Sequence, residues 1–204
     1  MEALIVVDIQ NDFIPGGALA VSDGDAVIPV VNRIMPRFDF VVASQDWHPA
    51  DHSSFASQHV GQQPGDVIDI NGVSQVMWPD HCIQHCPGAS FAAGLDVYHF
   101  DQVIRKGDDR QIDSYSAFYD NDRQKATGLH EWLQEHKINR VAVCGLATDY
   151  CVKFTVLDAL KLGYETTLIR DAVRGVNLTD GDSDKAVEEM KAAGASITDS
   201  STIE

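Results

Sequence analysis

The sequence predicts an α/β fold, a three-layer α/β/α sandwich around a mainly parallel central sheet. Short Val-rich apolar runs recur at 3–7, 40–43, 103–105, 141–144 and 166–169, the pattern of strands buried on both faces. Amphipathic helical stripes alternate with them. At 204 residues and 44% hydrophobic content the chain is long enough for one full core.

The first run, 3–7, is a strand that delivers Asp8 at its carboxyl end. Val27, Val30, Val31 and Ile34 follow i, i+3, i+4, i+7 spacing and mark the first helix, with Asp23 as its cap and Pro29 tolerable only in its first turn. The strand at 40–43 is followed by Asp46, and that at 103–105 by Lys106. Leu129, Trp132, Leu133 and His136 mark the second helix, capped by Thr127. The strand at 141–144 runs into a small-residue turn and the start of a helix whose stripe is Phe154, Leu157 and Leu160, ended by Gly163. After the strand at 166–169, Val187 and Met190 mark a fourth helix ended by Gly194, and a last short strand includes Ile197. The segment from about 47 to 96 is rich in His, Gln, Gly and Pro and has little periodicity; so long an irregular stretch is usually functional. No repeat or linker divides the chain, so a single domain over 1–204 is expected.

The formal net charge of −16 argues against nucleic acid and anionic membranes as partners, since both require a basic surface. No apolar run reaches membrane-spanning length, and the first strand begins almost at once, leaving no visible signal peptide. Four cysteines do not make a secreted disulfide framework at this length. A cytoplasmic protein is expected.

Chemistry concentrates at the strand ends, where ligands sit in sheets of this kind. In Val141-Ala142-Val143-Cys144-Gly145-Leu146-Ala147-Thr148-Asp149-Tyr150-Cys151 a thiol stands at the positive end of a helix dipole, which favours the thiolate. Asp8 and Lys106, at neighbouring strand ends, can supply a base and a cation for such a nucleophile. A second constellation lies in the irregular segment. Asp46-Trp47-His48 places a carboxylate and an imidazole two residues apart, on one side of an extended chain. With His52 and His81 nearby, this suits Zn²⁺, Mn²⁺ or Fe²⁺. A competing reading is a zinc knuckle of His81, Cys82, His85 and Cys86, although it lacks a second, distant ligand pair.

Taken in order, these segments resemble the nicotinamidase family of the isochorismatase-like cysteine hydrolase superfamily. The residues that carry the resemblance are Val7-Asp8-Ile9-Gln10-Asn11-Asp12-Phe13, Pro15-Gly16-Gly17-Ala18-Leu19, Ser44-Gln45-Asp46-Trp47-His48-Pro49 and Trp78-Pro79-Asp80-His81-Cys82. Arg105-Lys106-Gly107, Asp113-Ser114-Tyr115-Ser116-Ala117-Phe118 and Cys144 through Val152 complete the set. The resemblance implies the isochorismatase-like hydrolase fold and a catalytic triad of Asp8, Lys106 and Cys151. It implies a divalent metal on Asp46, His48 and His81, zinc before iron or manganese, with His52 as a further ligand in some members. It also implies a cis peptide at Leu146–Ala147 that aims the backbone N–H groups of Ala147 and Cys151 into an oxyanion hole. Phe13, Leu19, Trp78, Tyr115, Ala147 and Tyr150 are candidates for the substrate slot.

The implied reaction is hydrolysis of nicotinamide to nicotinate and ammonia through a cysteine thioester, as in NAD salvage, extending to pyrazinamide. The implied partner is thus a small-molecule substrate, with a homo-oligomer also compatible. Two alternatives stand beside it. One is a metal-independent cysteine amidohydrolase of the same superfamily, against which Asp46, His48 and His81 argue. The other is a non-catalytic metal-binding or redox module, which leaves Asp8, Lys106 and the Ala147–Cys151 turn without a purpose.

Overall fold

The computed structural model describes residues 1–203. In chain order the strands are β1 (Glu2–Val7), β2 (Phe40–Asp46), β3 (Val67–Ile70), β4 (Val73–Val76), β5 (Gln102–Lys106), β6 (Arg140–Leu146), β7 (Glu165–Arg174) and β8 (Ser196–Thr198). The α-helices are α1 (Val27–Ile34), α2 (Leu129–Glu135), α3 (Lys153–Lys161) and α4 (Asp182–Ala192). Six strands form one parallel sheet in the order β5-β2-β1-β6-β7-β8.

β1 shows why the sheet sits between two helical layers. Its side chains alternate between faces. Ala3, Ile5 and Val7 enter one hydrophobic cluster with Leu129 and Leu133 of α2, Val156 and Ala159 of α3, and Met190 of α4. Leu4 and Val6 enter the other with Val27, Val31 and Ile34 of α1. Fully burying an aliphatic side chain of this size contributes about 1.5–3 kcal/mol, so both faces of the strand are stabilised.

The helix stops at Gly163 and Gly194 have the geometry their sequence suggests. Both glycines are left-handed, with φ of 88° and 112°. Gly163 and Tyr164 donate back to Leu160 and Ala159, and Gly194 and Ala195 to Lys191 and Met190, closing paired C-terminal caps. Thr127 is not the cap of α2; that position is Gly128, left-handed at φ of 94°, and the Thr127 hydroxyl, one residue earlier, accepts from the Leu129 N–H at 3.2 Å.

Several expectations are corrected. Asp23 does not cap α1 through its side chain; a 3-10 turn over Gly24–Ala26 precedes the helix, and Asp23 enters it through its carbonyl, which accepts from Ala26 N–H. The buried face of α3 is Thr155, Val156 and Ala159 rather than Phe154, Leu157 and Leu160. The smaller residues let the helix approach the sheet, while Phe154 is exposed and the leucines cover the flank. The strands outrun their apolar runs; β2 continues through Ser44, Gln45 and Asp46, all buried, and β5 through Lys106. Within the irregular segment, β3 and β4 form an antiparallel hairpin. Its turn is Asn71-Gly72, with φ of 54° and 86°, a two-residue hairpin signal between alternating strands.

Candidate active site

The site is assembled where strands β5, β2, β1 and β6 end side by side. Asp46 and Lys106 are register partners across β2 and β5, so their side chains stand next to each other on one face. Asp8 follows β1 with φ of 48°, and Cys151 comes from the turn after β6. That turn opens with a cis peptide between Leu146 and Ala147. Gly145 precedes it because the Val7 backbone occupies the space a Cβ would need.

Lys106 is the hub. Its ammonium donates to Asp46 Oδ1 at 2.9 Å, to the Ser114 carbonyl at 2.8 Å and to Cys151 Sγ at 3.4 Å. Those bonds account for its three hydrogens. Asp8 Oδ2 lies 2.9 Å from the same nitrogen but holds no hydrogen bond of its own. Asp8 Oδ1 accepts from Ser44 at 2.6 Å. The carboxylate is thus held on one oxygen by Ser44 and on the other by its ion pair with Lys106, which also contacts the thiol.

Burial sets the protonation states. It pushes the Cys151 thiol well up; Lys106 opposes this, and the charges of Asp8 and Asp46 reinforce it. Burial thus works against the thiolate that a helix start favours, and Asp8 stands where it can take the proton. The first turn, Thr148–Val152, is π-helical, α3 begins only at Lys153, and desolvation outweighs the dipole. Asp8 is also raised, by burial first, with Lys106 opposing. Burial disfavours the charged form of Lys106, but Asp46 and Asp8 overcome it and hold the ammonium charged. For Asp46, burial acts upward, yet His48 and Lys106 hold the carboxylate well below its usual range. The arrangement therefore keeps a proton on the Asp8–Cys151 pair, available to move between them.

Next to this pair, Asp46 Oδ2 lies 3.0 Å from His48 Nε2 and 3.4 Å from His81 Nε2. His48 Nδ1 is 2.8 Å from the Gly107 carbonyl and His81 Nδ1 is 2.7 Å from the Pro79 carbonyl. A carbonyl only accepts, so each Nδ1 carries a proton, and each Nε2 is turned toward Asp46, where it would offer its lone pair to a metal. Two oriented imidazoles and one carboxylate are a fitting donor set for a divalent transition metal. Gly107, at φ of 66°, leaves room for the His48 ring that a Cβ would fill.

His52 is not gathered with these three. Its ring packs tilted against His48 with centroids 4.2 Å apart, while Nδ1 meets Ser54 Oγ at 2.7 Å and Nε2 meets the Ile112 carbonyl at 3.3 Å. Burial, with the charge of His48, pushes its pKa down to about 4. Between that value and the ordinary 6.5 the unfolded chain binds a proton that the native state does not, so this contribution to stability is present above pH 6.5 and lost as pH falls toward 4. Urea unfolding of chelator-treated protein should show His52→Phe losing about 3 kcal/mol less than wild type between pH 7 and pH 4. Identical slopes would show that His52 is protonated in the native state. The knuckle reading also fails: among the described residues, His81, Cys82, His85 and Cys86 form no ligand group, Cys82 is buried in the core and His85 packs on Trp47 at 5.2 Å.

Phe13, Leu19, Trp78, Tyr115, Ala147 and Tyr150 line one narrow cleft, floored by Cys151 and flanked by Asp46 and His81. Trp78 meets Tyr150 edge-on at 4.8 Å and donates to the Tyr115 hydroxyl at 3.1 Å, which stiffens the aromatic walls. Sequence reasoning gave no role to Asp113 and Val176, which also line the cleft, or to Ser44 and Gln10. Gln10 accepts from Asp46 N–H at 2.7 Å and donates to the Asp46 carbonyl at 2.8 Å, so it extends the ladder between β1 and β2 past the last strand residue. Its position two residues after Asp8 was the available signal.

The isochorismatase domain model matches residues 2–202. The chain is 51% identical over 199 residues to a nicotinamidase of Escherichia coli strain K12, covering 96% of this chain and 93% of that one. A nicotinamidase–pyrazinamidase structure from Acinetobacter baumanii superposes with a TM-score of 0.96 at 45% identity, over 100% of this chain and 98% of that one. A zinc complex of a pyrazinamidase from Pyrococcus horikoshii superposes with a TM-score of 0.79 at 40% identity, over 97% and 98% of the two chains.

Proposed function

The chain belongs to the isochorismatase domain family, and we infer that within it the protein is an amidohydrolase that converts nicotinamide to nicotinate and ammonia. One observation carries the reading: a buried lysine holds a carboxylate and a thiol together at the floor of an aromatic cleft. The same cleft suits pyrazinamide, whose ring is of similar size and shape.

Asp8 Oδ2 takes the Cys151 proton as Sγ attacks the carboxamide carbon. Lys106 stays protonated and offsets the charge passing between thiolate and carboxylate. The oxyanion is held by the backbone N–H groups of Ala147 and Cys151, each such donor typically worth about 3–4 kcal/mol. Asp8 returns the proton to the departing nitrogen, and ammonia leaves. Asp8 then deprotonates a water that adds to the thioester, releasing nicotinate and restoring the thiol. Phe13, Trp78 and Tyr115 hold the ring, and their packing excludes bulk water from the thioester.

Asp46, His48 and His81 are the residues to hold a metal, zinc before iron or manganese. When bound, such an ion supplies a Lewis-acidic contact for the pyridine nitrogen and thereby orients the ring. An ammonia-release assay with nicotinamide tests the activity. Chelation should raise the KM for nicotinamide about tenfold or more and affect benzamide, which lacks the ring nitrogen, far less. Circular dichroism and alkylation of Cys151 should be unchanged by chelation. Equal losses on both amides would remove the ring-nitrogen contact, and lost helicity would mark a structural metal.

A further inference from the structure

Asp113 is a buried carboxylate of the cleft that the reaction above leaves unused. Its Oδ1 lies 4.0 Å from His48 Nε2, the nitrogen that faces Asp46. Asp113 thus sets a second buried carboxylate oxygen beside the nitrogen that the Asp46, His48 and His81 cluster turns inward, at a separation longer than a hydrogen bond.

Direct ligation by Asp113 is disfavoured. Asp46, His48 and His81 bring their ligand atoms into one group, whereas Asp113 groups with His48 and His52. His52 cannot complete that second group, because its nitrogens are committed to Ser54 and Ile112. The Asp113 carboxylate is nevertheless rigidly held: Oδ1 accepts from Ser114 N–H at 2.7 Å and Oδ2 from Gln75 Nε2 at 3.1 Å. A carboxylate offers about four acceptor positions, so capacity remains on the oxygen nearest His48.

We propose that Asp113 is a positioning residue of the metal centre, its Oδ1 accepting a hydrogen bond from a water ligand of the ion held by Asp46, His48 and His81. The inference rests on the metal-dependent nicotinamide reading. Water on a divalent ion is an acidic, strong donor, and an anchored carboxylate is a suitable acceptor.

The test compares zinc-loaded wild type, Asp113→Ala and Asp113→Asn by zinc content, rate of zinc transfer to a chromophoric chelator, and kinetics on nicotinamide and benzamide. Asp113→Ala should bind one zinc per chain but release it about tenfold faster or more. Its KM for nicotinamide should rise by a similar factor while benzamide kinetics stay within about twofold. Asp113→Asn, whose amide oxygen can still accept, should fall between Asp113→Ala and wild type, and it carries the test if Asp113→Ala does not fold. Wild-type release rates in the variants would overturn the proposal. So would complete loss of zinc from folded Asp113→Ala, which would make Asp113 a direct ligand. If wild type binds zinc but releases no ammonia from nicotinamide, the parent reading fails, while the zinc-release rates still decide the role of Asp113.

Discussion

Cys151→Ala should lose amide hydrolysis by about 10⁴-fold or more while keeping its fold, since removing the nucleophile of a cooperating set costs nearly the whole rate enhancement. The side chain is small and stands at the floor of the cleft, so its loss opens little new cavity. Lys106 keeps Asp8, Asp46 and the Ser114 carbonyl as partners. The measurement is ammonia release from nicotinamide, with circular dichroism on the same samples and the exposed Cys86→Ala as a control. Retention of even a few per cent of the wild-type rate would sink the nucleophile assignment. Because the resting group is a thiol and not a thiolate, Asp8→Asn should be nearly as damaging. A carboxamide cannot accept the proton, and Lys106 already holds its own.

The second large effect is expected at Lys106. Lys106→Met removes the ammonium in contact with the buried carboxylates of Asp8 and Asp46, and breaking such a pair costs about 3–5 kcal/mol. The loss should depend on pH with a definite sign. Without the ammonium, burial and the charge of Asp46 raise the folded-state pKa of Asp8 further above its unfolded value. The native state then binds the extra proton, so the variant is least impaired near pH 4 and loses stability as pH rises. Denaturant unfolding of wild type and variant at pH 4.5 and pH 7.5 reads this directly. A deficit that is the same at both values would mean the carboxylates are compensated elsewhere. Lys106→Arg retains charge but should still lose most activity. The guanidinium is broad and planar, and the site holds a compact ammonium among Asp8, Asp46, Ser114 and Cys151. Near-normal kinetics for Lys106→Arg would reduce Lys106 to a remote positive charge.

Much of this architecture is legible in the sequence because it is set by local periodicity and local backbone needs. Alternating faces in β1, the stripe of α1 and the glycine stops of α3 and α4 depend on side chains a few residues apart. Parallel strands bring their carboxyl ends to one edge, so strand ends alone place Asp8, Asp46 and Lys106 near one another. The Asn71-Gly72 hairpin is equally local, although the segment around it lacks long periodicity.

What only the tertiary structure decided depends on burial and on neighbours distant in sequence. Ser44, Gln45 and Asp46 look too polar for a buried strand, yet Asp8, the Ala89 carbonyl and Lys106 satisfy them there in turn. The thiol looks activated by a helix terminus, but desolvation leaves it protonated and makes Asp8 necessary. His52 resembles a ligand in its spacing, but Ser54 and Ile112 occupy its nitrogens. Asp113 carries no periodic signal, and it gains significance only from the 4.0 Å that separates it from His48, 65 positions earlier in the chain. Residue types and their order determined which chemistry was available. The packed fold determined where each proton rests and which lone pairs remain free, because desolvation and Coulomb energies exist only once distant segments meet.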